Sequence, residues 1–183
     1  MIVKAWRLIT PDLVLAAPIT AITPQLMAKH GLQGLILDVD NTLIGDDEAD
    51  VSPEVRLWVT TMQQQQYSLC LASNNFSDRR IQKVAASINL PYRSRAGKPS
   101  RRVVRQVLDA MQLPSAQVGM VGDRLFTDTI VGNRLGLFTI LVQPPCEENI
   151  EFLKPSLASI FKIRSSFLRN GEIWIARRSG VKV

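Results

Sequence analysis

The sequence predicts an α/β fold: a parallel sheet with helices on both faces and no large cap domain. Three observations predict it. Short apolar runs alternate with segments of helical periodicity through the middle of the chain. Capping residues, prolines and glycines mark the joints between them. Polar residues suited to chemistry follow directly after the apolar runs, and in a parallel sheet ligands bind beyond the carboxyl ends of the strands.

The elements follow in order. Leu35-Ile36-Leu37 is a strand that ends at Asp38. Ser52-Pro53-Glu54 opens a helix to about Gln66, with a capping hydroxyl, a proline at the first position and an acid in the first turn. The glutamines of Gln63–Gln66 are expected on its solvent face. Tyr67–Ala72 reads as a buried strand. Ser77 or Asp78 is expected to cap a helix to about Ile88, and a short extended piece follows at Leu90–Tyr92. Pro99 is expected to start a helix ending near Met111. Val118–Val121 is a strand, Thr127–Leu135 a helix stopped by Gly136, and Phe138–Val142 one more strand.

Composition bounds the function. With 183 residues and 46% of them hydrophobic, the chain is expected to form one domain, residues 1–183, with its core at about 22–145. Two cysteines, Cys70 and Cys146, exclude a disulfide-dense scaffold and suit a reduced, cytoplasmic setting. A single histidine, His30, and the lack of a CxxC pair argue against a Cys/His zinc site, leaving a hard metal on carboxylates open. No apolar run approaches the ~18 residues needed to span a bilayer. Leu13–Ile19 comes nearest and Pro18 interrupts it. The first residues lack signal-peptide design, so a soluble or peripheral protein is expected. The net charge of +6 sits in the segment 154–183, which holds seven basic groups and one acid. Such a run is most often a solvated helix face. Its functional reading is attraction to an anionic surface, and the 6% aromatic content favours lipid over nucleic acid, which is not expected as a partner.

Four polar sets carry the chemistry. They are Asp38-Val39-Asp40-Asn41-Thr42-Leu43, Ser73-Asn74-Asn75, Gly97-Lys98-Pro99, and Gly122-Asp123-Arg124 with Asp128 beyond. Each alone is ordinary loop chemistry, but in this order they converge on one rim of one sheet. The residue types suit phosphoryl transfer. Asp38 and Asp123 offer oxygen ligands to Mg²⁺. Asp38 is then the nucleophile, and Asp40 protonates the leaving alcohol and activates the hydrolytic water. Thr42, Ser73, Asn74 and Lys98 are the expected phosphate contacts. Asp128 is expected to support the metal's water or Lys98.

At these residues the chain resembles the haloacid dehalogenase-like (HAD) superfamily of phosphatases. DVDNTL at 38–43, Ser73, Lys98 and GDxxxxD at 122–128 match its four motifs, and none departs from the pattern of an active enzyme. The resemblance implies a Rossmann-like HAD fold, an aspartyl-phosphate on Asp38, and Mg²⁺ held by Asp38, Asp123 and the backbone carbonyl of Asp40. Only 29 residues separate Leu43 from Ser73 and 24 separate Ser73 from Lys98, which leaves no room for a large cap. The stretch from about Ile22 to Val142 is similar to the YqeG-type, class IIIA branch in ITPQLMAKHGLQGLILDVDNTL, LASNN, AGKPSRR and VGDRLFTDTIVGNRLGLFTILV. Organelle relatives of that branch are phosphatidylglycerophosphate phosphatases. The resemblance therefore implies a phosphorylated substrate that is an anionic phospholipid, with peripheral membrane contact. A soluble sugar or nucleotide phosphate or a phosphoprotein is the alternative substrate. A receiver domain is disfavoured by Asp40, and an inactive adaptor by the complete polar set.

Arg93, Arg95, Lys98, Arg101, Arg102 and Arg105 crowd the approach to the phosphate site, and Arg79 and Arg80 begin the preceding helix. Arg79 and Arg105 are expected to be solvated. For Arg95, Arg101 and Arg102, substrate contact and solvation stay open. His30 is expected at a helix C-terminus. Asp46, Asp47, Glu48 and Asp50 are expected in a solvated acidic loop, Trp6, Trp58 and Trp174 in packing, and Cys70 as an inert core residue.

Overall fold

A computed structural model describes residues 7–45 and 50–145. Trp6, Trp174, Cys146, Asp46, Asp47, Glu48 and the basic segment 154–183 lie outside the described residues. Six strands form one sheet: β1 (Leu13–Val14), β2 (Gly34–Leu37), β3 (Ser68–Ala72), β4 (Tyr92–Arg93), β5 (Val118–Gly122) and β6 (Phe138–Leu141). Their order is β1-β6-β5-β2-β3-β4, and every pairing is parallel. The chain runs outward from β2 through β3 to β4, then crosses back to β5 on the other side of β2. The topological switch point thus lies between β2 and β5, where a ligand crevice is expected.

Period-two alternation sorts the strand side chains onto two faces. Leu35, Leu37, Leu69, Leu71, Val121 and Ile140 pack on one side with α2 (Pro53–Gln64) and α3 (Asp78–Ser87). Ile36, Cys70, Ala72, Val118 and Met120 pack on the other with α4 (Arg101–Met111) and α5 (Ile130–Leu135). The short helix α1 (Pro24–Lys29) precedes β2, capped by the Thr23 hydroxyl, which accepts from the Leu26 N–H. His30 closes α1 as expected, its ring 4.6 Å from that of Phe138. Trp58 packs in the core and donates its Nε1–H to the Ile22 carbonyl at 2.7 Å. Gln63–Gln66 are exposed. Burial raises the Cys70 thiol to about 11, which keeps it protonated and unreactive.

The differences from the sequence reading have local causes. β1 was not foreseen, because a two-residue edge strand gives no periodic signal; Asp12 secures it by accepting from the Thr139 N–H at 2.8 Å and the Thr139 hydroxyl at 2.9 Å. α4 starts at Arg101, not at Pro99, because Gly97–Ser100 forms a turn (Ser100 N–H to Gly97 O, 2.8 Å) and Ser100 becomes the cap. Ser77 occupies the cap position of α3 without a side-chain bond, and Asp78 instead accepts from the Ser94 hydroxyl at 2.6 Å. The Thr127–Leu135 helix is in fact a wide π-type turn over Leu125–Thr129 leading into α5. Both Asp128 and Thr129 donate their N–H groups to the Arg124 carbonyl. Such turns are frequent at functional sites, and this one carries Asp128.

Candidate active site

Asp38 follows β2 directly, and its N–H continues the ladder to the Val121 carbonyl of β5 at 2.9 Å. That bond fixes the carboxyl at the switch point. The chain then turns tightly: Asn41 adopts φ +60° and donates to the Ile44 carbonyl at 2.7 Å, and Leu43 N–H returns to Val39. Asn tolerates the left-handed region better than most residues. The turn sends Asp38 inward and leaves Asp40 one third exposed. The Thr42 hydroxyl on the same turn is fully buried and has no hydrogen-bond partner among the described residues.

Opposite, β5 ends at Gly122-Asp123. A Cβ at Gly122 would overlap the Asp128 carboxyl, so glycine is what lets Asp128 fold back against the strand end. Asp38, Asp123 and Asp128 are all buried, and each brings a carboxylate oxygen within 4.8 Å of the others. Lys98 Nζ lies 2.7 Å from Asp38 and 2.7 Å from Asp128, with its side chain almost wholly buried. Burial is the largest influence on Asp38 and, with the Asp128 charge, raises it to about 6 against the opposing pull of Lys98. Burial alone would lower Lys98, but Asp128 and Asp38 outweigh it and raise its pKa. Three carboxylates share one buried ammonium, and the exposed Arg124 reaches Asp123 from the rim at 3.9 Å. An all-oxygen donor set of this size fits a hard divalent ion.

Asp40 is not a member of that cluster. Its carboxylate accepts from the Ser73 hydroxyl at 3.3 Å and from Asn75 Nδ2 at 3.3 Å, and it pairs with Arg80 at 3.4 Å. Its side chain is thus apart from the carboxylate group, which agrees with an expected metal role for its backbone carbonyl alone; Asp128, expected to support the metal's water or Lys98, lies in the carboxylate group and on Lys98. Asn74, expected at the phosphate, has its side-chain amide occupied by Lys98: Oδ1 accepts from the Lys98 N–H at 2.7 Å and Nδ2 donates to the Lys98 carbonyl at 2.9 Å. Sequence reasoning gave no role to Arg80 or to the Asn75 side chain. The available signal was their placement shortly after Ser73, Asn75 in the loop and Arg80 in the first turn of α3.

Two phenylalanines stand exposed beside this rim: Phe76 in the loop after β3 and Phe126 on the π-type turn after β5, on either side of the strand that carries Asp38. Among the described residues no helix is long and apolar enough to cross a membrane.

Comparison with known proteins agrees with this geometry. Residues 95–144, which contain Lys98, Asp123 and Asp128, match the HAD-hydrolase-like family model. The chain is 29% identical over 152 residues to the protein named "Probable phosphatase YqeG" from Bacillus subtilis, covering 83% of this chain and 88% of that one. These matches make the chain similar to the haloacid dehalogenase-like phosphatases. Among them the likeness is to the YqeG type. The chain is 27% identical over 129 residues to the chloroplastic/mitochondrial phosphatidylglycerophosphate phosphatase 1 of Arabidopsis thaliana, covering 66% of this chain but only 37% of that protein. Its fold is shared by an uncharacterized protein from Listeria monocytogenes serotype 4b, with a TM-score of 0.53 at 18% identity over 70% of this chain and 88% of that chain.

Proposed function

We propose that this HAD phosphatase is a Mg²⁺-dependent phosphomonoesterase that forms a phosphoenzyme on Asp38, and that its substrate is phosphatidylglycerophosphate, yielding phosphatidylglycerol. The observation that carries the chemistry is the separation of two carboxylates on one turn. Asp38 is buried against Lys98 and Asp128, and Asp40 faces Ser73, Asn75 and Arg80 at the open rim.

In this reading Asp38 attacks phosphorus, forming a new O–P bond as the ester P–O bond breaks, and Asp40 gives its proton to the departing alkoxide. A water then attacks the phosphoryl group; Asp40 takes its proton, the bond to Asp38 breaks, and inorganic phosphate leaves. Lys98 and the Ser73 hydroxyl stabilise charge on the phosphoryl oxygens, with Thr42 as a further donor and Asn74 holding Lys98 in place. Asp38, Asp123 and Asp128, with the Asp40 carbonyl, would hold Mg²⁺. When bound, the ion offsets repulsion between the phosphate dianion and Asp38.

The lipid substrate is supported by the named activity of the Arabidopsis relative and by the exposed Phe76 and Phe126 beside a site with no large cap. Apolar side chains and arginines on one rim suit a phosphate presented at a bilayer surface. The enzyme then acts as a cytoplasmic protein in peripheral contact with the membrane. The test is phosphate release from phosphatidylglycerophosphate, phosphatidic acid and soluble phosphomonoesters, with Mg²⁺ and after chelation. Preference for the first substrate and loss of activity on chelation are expected. Preference for a sugar phosphate, a nucleotide or a phosphoprotein replaces the lipid reading, and full activity after exhaustive chelation overturns the mechanism.

A further inference from the structure

Beside the Lys98 loop lies an open cleft of about 750 Å³ between α4 and α5. Gly97 and Pro99, the neighbours of Lys98, form part of its wall, and Arg101, Arg102, Arg105 and Arg134 form much of the rest. Lys98 itself is directed away to Asp38 and Asp128. Arg134 is anchored by donating to the Pro99 carbonyl at 3.1 Å, so the cleft is braced against the catalytic loop. Among the described residues, Arg101, Arg102 and Arg105 make no ion pair.

This arrangement runs against local electrostatics. The first turn of a helix favours acidic residues, yet α4 has none there and begins Arg101-Arg102. Arg101 and Arg105 stand four apart on one face, where like charges repel. A cluster that breaks local rules with no compensating partner marks a functional position more often than a structural one. Guanidinium groups also bind tetrahedral phosphoryl anions through paired N–H donors, which lysines do not.

We infer that this cleft is a second anion subsite, which binds a second phosphoryl group carried by the same substrate as the scissile phosphate. For phosphatidylglycerophosphate that group is the phosphodiester, joined to the terminal phosphate by one glycerol. The subsite selects substrates with two phosphoryl groups a short linker apart over simple monoesters. This inference rests on the phosphatase reading of the neighbouring site.

The test uses the full chain, its Arg101→Gln/Arg105→Gln double variant, and two soluble substrates. One is dioctanoyl phosphatidylglycerophosphate below its micelle concentration, which carries both phosphoryl groups without a membrane. The other is p-nitrophenyl phosphate, which carries one. The ratio of kcat/KM on the first to that on the second is expected to fall about tenfold or more in the double variant, mostly through KM. The Arg101→Lys/Arg105→Lys variant, which keeps the charge but loses the paired donors, is expected to fall between the two. A ratio within twofold of wild type overturns the subsite. If neither substrate is turned over, the phosphatase reading fails separately. The cleft is then judged by calorimetric binding of dioctanoyl phosphatidylglycerol, whose only phosphoryl group is the diester. Binding weakened at least fivefold in the double variant supports the subsite, and equal binding or none overturns it.

Discussion

Asp38 and Asp40 leave one turn and enter opposite surroundings. Asp38 is buried beside two other carboxylates and is held by Lys98, with burial raising it to about 6. Asp40 is one third exposed and touches a hydroxyl, an amide and a guanidinium. Asp38 is still held in the sheet ladder by its N–H to the Val121 carbonyl, whereas Asp40 lies beyond the strand and bridges to Ile44. The first pocket concentrates negative charge in a dry place, where a bound cation and a phosphoryl group gain most from electrostatics. The second keeps a carboxyl near solvent, where protons can come and go. One turn thereby separates charge stabilisation from proton transfer.

The comparison breaks most completely at Asp38. Asp38→Asn is expected to reduce turnover to background while the circular dichroism spectrum stays native, because an amide is a poor nucleophile and a poor cation ligand. Activity at a tenth of wild type would reject Asp38 as the nucleophile. Asp40→Asn is expected to lower kcat about 10²–10⁴-fold on an alkyl phosphate. On p-nitrophenyl phosphate the loss in the first step is expected to be much smaller, since that leaving group needs no proton. Equal losses on the two substrates, measured in single turnovers, would remove Asp40 from leaving-group protonation.

Lys98 tests the dry pocket alone. Lys98→Met leaves Asp38, Asp123 and Asp128 without their buried cation, and breaking a buried pair costs about 3–5 kcal/mol. Urea denaturation of the chelated protein is expected to show that loss at pH 7.5 and a smaller one at pH 5, where Asp38 takes up a proton. The pH dependence of the native pocket has a definite sign. Asp38 is raised from 3.8 to about 6, so between those values the folded state holds the proton that the unfolded state has released. Its contribution to stability therefore falls as pH rises through that window. Lys98 is raised above 10.5, so its contribution is full below 10.5 and is lost as pH climbs through the folded value. Relative to Asp38→Asn, the chelated wild type is expected to lose stability from pH 4 to pH 6. A flat difference would contradict the upward shift of Asp38 by burial.

Much of this was legible in the sequence, for physical reasons. Asp38, Ser73 and Asp123 follow apolar runs and Lys98 sits between a glycine and a proline at a helix entrance, and strand ends in a parallel sheet converge on one rim. What could not be read was where side chains turn after leaving that rim. Asp128 joined the carboxylate cluster because a π-type turn and the bare Gly122 let it fold back, and neither has a periodic signature. Arg80 reached Asp40 from the first turn of α3, a three-dimensional coincidence that spacing alone does not reveal. β1 has no sequence signature because two residues carry no alternation, and the start of α4 is ambiguous because Ser100 competes with Pro99 as the helix signal.

Asn74 offers the finest division between the two pockets. It adjoins Ser73, which bonds Asp40, yet its amide holds the backbone of Lys98, which serves Asp38. Removing it touches neither carboxylate directly. Asn74→Ala is expected to cost about 1–2 kcal/mol in stability, the scale of two neutral hydrogen bonds. It is also expected to lower kcat about tenfold, because small displacements of a positioned charge weaken the transition state more than the ground state. KM should stay within twofold if Asn74 acts through the Lys98 backbone that its amide holds. Asn74→Asp keeps the acceptor for the Lys98 N–H and loses the donor to its carbonyl, so it should recover part of the stability. A rise in KM with kcat preserved would instead put the Asn74 amide on the substrate.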